Sequence, residues 1–81
     1  MKTFSQLAAD VLQAEAIKDA MTYDMPTFEF SVMHKACNNL LDSAEDRVSD
    51  LPELEDRQDI LKLIYVIRCK EIKKDFTFKN R

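Results

Sequence analysis

Few residues of this chain have side chains suited to catalysis or metal binding, and their spacing narrows what they can do. His34 is the single histidine, and Cys37 and Cys69 are the two cysteines. His34 and Cys37 stand one helical turn apart and, with Cys69 and an acidic residue, could make up the four ligands of a structural zinc site. No C-x-x-C or H-x-x-x-H pair anchors such a site. Cys37 also falls on an apolar helical row, where a free cysteine behaves as a small hydrophobe. The expectation is a core cysteine beside a surface histidine, and no metal. A lone histidine with no serine or cysteine marked as its nucleophile gives covalent catalysis little to stand on. The acid pairs Glu45–Asp46 and Glu55–Asp56 read as solvated helix faces. No catalytic residue and no cofactor is expected, and the chain reads as a non-enzyme.

Glycine is absent from all 81 residues, and this excludes whole classes of function. Phosphate-cradling loops use glycine so that backbone N–H groups can approach the ligand closely. A P-loop, a dinucleotide fingerprint and a nucleophile elbow are therefore ruled out. Two prolines are the only rigid interruptions, so long helices with short connections follow.

Charge is distributed unevenly. Residues 42–59 hold eight carboxylates against two arginines, and residues 68–81 hold six basic residues against two acidic ones. Acid at the start of a helix and base at its end match the helix dipole. The same layout suits docking an acidic patch of one copy on the basic tail of another. Arg68, Lys70, Lys73, Lys74 and Lys79 are the candidates for nucleic-acid contact, with Phe76 and Phe78 as stacking platforms. A net charge of −3 and the neighbouring acidic block argue against phosphate as the main partner.

The elements that must position these residues follow from periodicity. Thr3 and Gln6 have capping-box spacing. Phe4, Leu7, Val11, Ala14, Ile17 and Met21 recur at helical intervals, with Ala8 and Leu12 widening the stripe. Asp24 and Pro26 predict the next helix start, and Met33, Cys37, Leu40, Leu41, Ala44 and Val48 form its apolar row. Asp50, Pro52 and Glu53 repeat the starting signal. Helices over about 3–21, 27–49 and 52–74, with a basic tail over 75–81, make one helical domain. The fold class is all-α: a three-helix bundle, or a helical hairpin completed by oligomerisation.

The stretch "ILKLIYVIRC" (60–69) is the most informative. Its Ile, Val and Tyr favour sheets, yet no turn residue separates it from the charged segments on either side. It reads as helix, apolar around most of its circumference for two turns, where one buried face needs a stripe of little more than 100°. Either the third helix is central to the bundle, or one strip of it faces another chain. Ile60, Leu63, Ile64, Ile67 and Phe76 are the expected protein-binding residues, and homo-oligomerisation is expected.

The N-terminus lacks the continuous apolar core of a signal peptide, and no apolar run approaches the roughly 20 residues that span a bilayer. A cytoplasmic protein with no membrane span is expected; contact with the soluble part of a membrane protein is compatible with this, and only the last turns of the third helix have the basic polar face that membrane-surface attachment needs. A Met-Lys start, no glycine, and a charged helical body with a Lys/Phe tail are together similar to small accessory proteins of large T-even-type bacteriophages. That resemblance is one of overall character and transfers no residue role. It implies a protein that acts by binding: redirecting host enzymes, neutralising toxins or adjusting the timing of lysis. The expected function is a non-enzymatic regulator or adaptor that binds another protein through the third helix. The alternative is a nucleic-acid-binding regulator using the basic C-terminal segment.

Overall fold

Thr3 opens the first helix as its spacing from Gln6 predicts. Its hydroxyl accepts the Gln6 N–H at 3.2 Å, and the Gln6 amide oxygen accepts the Thr3 N–H at 2.9 Å. Donors that a helix start leaves unpaired are thereby satisfied by neighbours in sequence. In the computed structural model, which describes residues 2–72, three helices follow: α1 (Phe4–Ala20), α2 (Thr27–Arg47) and α3 (Leu54–Cys69). One 3₁₀ turn, Val48–Asp50, joins α2 to α3. The described residues are all-helical in character, as the periodicities predict.

The other two helix starts differ from expectation. Asp24 does not cap α2 but accepts the Thr22 hydroxyl at 2.5 Å, and Pro26 stands at the N-cap itself. Asp50 does not cap α3 either, because it lies in the 3₁₀ turn. There Val48 and Leu51 turn into the core, 6% and 2% exposed. Burying both pulls residues 48–51 out of register with a helix starting at Pro52, so α3 begins at Leu54. Arg57 secures the junction by donating from Nε to the Leu51 carbonyl at 2.6 Å.

The end of α3 is also earlier than the expected residue 74. Lys70 is extended, with φ −70° and ψ 134°, and its N–H closes the last turn on the Ile67 carbonyl. No glycine or proline marks this stop, and its cause is tertiary. Lys18 of α1 donates from Nζ to the Ile67 and Arg68 carbonyls at 2.8 and 3.1 Å, occupying acceptors that a helix terminus leaves open. Lys70 meanwhile turns to Glu15 and Asp19 of α1, at 2.9 Å each.

These contacts bring the C-terminal ends of α1 and α3 together, so the two run parallel, with α2 antiparallel between them in chain order. Leu7, Val11 and Ala14 from α1 meet Cys37, Leu41 and Ala44 from α2, and Ile60, Ile64 and Ile67 from α3. Small side chains at Ala14, Cys37 and Ala44 let α1 and α2 approach closely. Their packing is the most extensive in the molecule, and α3 rests mainly on α1. The central helix is therefore α1, not α3. Among the described residues no polar or charged residue is buried.

Candidate functional site

His34 and Cys37 leave α2 in different directions. The His34 ring is exposed and lies nearly parallel to Phe30, with centroids 6.0 Å apart. Cys37 points into the core and donates its thiol to the Ala14 carbonyl at 3.3 Å. Burial pushes that thiol above its ordinary value, with Lys18 and Arg68 only partly offsetting it. Cys69 is exposed at the end of α3. Among the described residues, no three of the histidine, cysteine, aspartate and glutamate side chains gather where they could hold a metal.

The basic candidates that fall within residues 2–72 are already engaged. Arg68 donates to Asp42 at 2.8 Å and to Glu45 at 3.0 Å, which raises the affinity of its guanidinium for its proton, Asp42 first among the causes. Lys70 is likewise raised, first by its hydrogen bond to Asp19 and then by Glu15. Both residues serve as ties from α3 to α2 and α1, which leaves little of their charge for phosphate. Lys73, Lys74 and Lys79 lie outside the described residues.

The expected protein-binding residues are split by the fold. Ile60, Ile64 and Ile67 are 1%, 3% and 0% exposed; they face α1 and α2 and form this chain's own core. Helical spacing puts them on a single stripe, and that stripe is the one the bundle buries. Ile64 and Ile67 are enclosed in that core, and Ile60 meets the surface only at the floor of the groove between α1 and α3. Leu63 is half-buried at the edge of this stripe, and Phe76 lies outside the described residues.

What α3 leaves uncovered lies on two flanks. Toward α2, Leu54, Leu61 and Tyr65 form an exposed row. Toward α1, a groove of about 290 Å³ opens between the two parallel helices, with Phe4, Ala8, Leu63 and Val66 on its walls and Ile60 at its floor. Phe4 and Val66 are 38% and 52% exposed. Ala8 and Leu12 continue the Phe4 row at intervals of four, so the apolar surface runs on along α1 past the groove. Asp59 and Lys62 are the charged residues at its edge. This groove is the candidate functional site. Phe4, Ala8 and Val66 were missed as site residues by periodicity alone. The usable signal was the width of the α1 stripe, too broad for one neighbouring helix.

A second cleft, of about 310 Å³, lies at the opposite end of the bundle beside Tyr23, His34 and Asn38. Its two lysines, Lys18 and Lys70, are committed to the helix ties described above. It therefore offers a ligand little unspent charge. No protein-family model, curated protein or solved structure matches this chain. No helix among the described residues is long and apolar enough to cross a membrane.

Proposed function

We propose that this chain is a non-enzymatic protein-binding regulator or adaptor that docks a helix of its partner in the groove between α1 and α3. The observation that carries this reading is the groove itself, whose walls and floor are formed by apolar residues with two charges at the edge. Such a surface contributes affinity through burial, at roughly 25 cal/mol for each Å² of apolar area removed from water. A helix laid between two parallel helices would extend the three-helix packing to four, a stable arrangement of the same geometry. The likeness to phage accessory proteins points the same way, toward control of a host or phage protein by binding it. Two unpaired thiols, Cys37 and Cys69, suit a reducing cytoplasm.

The test is capture by the tagged chain, with mild cross-linking, in the cell that makes it. Wild type is compared with Val66→Asp and Ala8→Gln, each first checked for native helicity. Both variants should lose the captured partner. Undiminished capture by both folded variants would remove the groove as the docking surface.

A further inference from the structure

We propose that the helix taken up by the α1–α3 groove is amphipathic and basic, with Lys or Arg flanking its apolar row. This rests on the docking reading above and names the chemistry of the partner. Three independent features of the surface support it.

The first is the composition of the α1 side. Ser5, Ala9, Leu12 and Ala16 are exposed beside the groove and carry no charge, although a solvent-facing helix surface ordinarily does. Ser5, Ala9 and Ala16 are small enough to allow the close axial approach of another helix, about 8–10 Å, and exposed Leu12 adds apolar area. An extended segment or a loop gains nothing from that close approach. The second is the α3 side. Glu55, Asp59, Lys62 and Val66 follow one another at intervals of four and three along the rim. Among the described residues neither Glu55 nor Asp59 forms an ion pair. At the groove edge itself Asp59 stands against Lys62, which is likewise without an ion pair among the described residues; Glu55, one turn before Asp59 on the same face of α3, makes that face acidic by one charge. The third is the charge of the helical body; residues 73–81 add four basic residues and one acidic one, and the whole chain carries −3. Residues 1–72 hold fourteen of the fifteen acidic residues but only eight of the twelve basic ones. Of those eight, Lys2, Lys18, Arg57, Arg68 and Lys70 are engaged within the chain. A helix with flanking cations would be steered to this surface and held in register by Glu55 and Asp59, while its apolar row supplies the affinity.

The experiment uses the full chain and three labelled helical peptides. They share one apolar row at i, i+4, i+7 and differ only in flanking Lys, Glu or Gln, and binding is followed by fluorescence anisotropy at low and high salt. The Lys-flanked peptide should bind roughly tenfold more tightly than the Glu-flanked one, a difference of about 1.4 kcal/mol. The preference should shrink with salt, reverse in Glu55→Lys/Asp59→Lys, and all binding should weaken in Ala8→Gln. If the Glu- or Gln-flanked peptide binds as tightly as the Lys-flanked one, the basic partner is overturned and the groove stands. If Ala8→Gln binds the Lys-flanked peptide as wild type does, or if no peptide binds, the groove reading falls and this inference with it. If light scattering shows a dimer of the chain that Ala8→Gln dissolves, the occupant is a second copy, which also overturns the proposal.

Discussion

Cys37 and Cys69 occupy opposite environments, so they should react differently. Cys37 is 4% exposed and hydrogen-bonded to the Ala14 carbonyl, whereas Cys69 lies open at the end of α3. A thiol-reactive disulfide reagent should modify Cys69 in seconds to minutes. Modification of Cys37 should wait for opening of the bundle, and stopped-flow absorbance will separate the two phases. The Cys37 thiol also has a pH signature. Burial holds its folded-state value above the ordinary 9.0, so the native chain keeps this proton after the unfolded chain has lost it. Stability from this group is complete below pH 9.0 and falls as pH rises through the raised value. Urea midpoints of wild type should therefore drop more steeply above pH 9.0 than those of Cys37→Ala. Thr3 offers a cleaner case, because its role is local. Thr3→Ala removes the cap on α1 and should cost about 1 kcal/mol in urea denaturation.

At the scale of the element, α3 is a helix whose apolar coat exceeds what one bundle can hide. Its Ile60, Ile64 and Ile67 stripe lies in the core, while Leu54, Leu61, Tyr65 and Val66 remain exposed. Alanine substitutions should divide along that line. Ile64→Ala and Ile67→Ala should each lose about 2–5 kcal/mol through lost burial and the cavity left behind. Leu61→Ala and Tyr65→Ala should stay within about 0.5 kcal/mol, as exposed positions do. Chemical denaturation of the four variants checks this. A core-sized loss at Leu61 or Tyr65 would mean that this flank is covered in solution. Ile67→Asp belongs to the first group and would report unfolding, so it is unsuitable as an interface probe.

Across the whole molecule, the third helix is held in different ways at its two ends. Near its start, packing is apolar, through Leu51 and Ile60, with the Arg57 hydrogen bond to the Leu51 carbonyl as the one polar tie described there. Near its end, Lys18, Arg68 and Lys70 tie it to α1 and α2 through carbonyls and carboxylates. Exposed ion pairs contribute little singly, at about 0–1 kcal/mol, but these are gathered at one place. Arg68→Met combined with Lys70→Met should lower the urea midpoint at low salt. It should lower it less at about 1 M salt, where the Debye length is only about 3 Å. Hydrogen exchange should show the loss concentrated in the last turns of α3.

Much of the fold was legible along the chain because its causes are short-range. The Thr3–Gln6 cap, the apolar rows at three and four, and the absence of glycine each act within a turn or two. They suffice to specify three helices and to exclude phosphate loops. The candidate site was legible only in part. Leu63 could be named from its neighbours, but Phe4, Ala8 and Val66 become a site only when α1 and α3 lie parallel with their ends matched. The stop at Cys69 depends on Lys18, which lies 49 positions before the Ile67 carbonyl it reaches. Which apolar face of α3 faces inward depends on how closely Ala14, Cys37 and Ala44 let α1 approach α2. Such distances between helices are set by packing, and no local pattern of residue types encodes them.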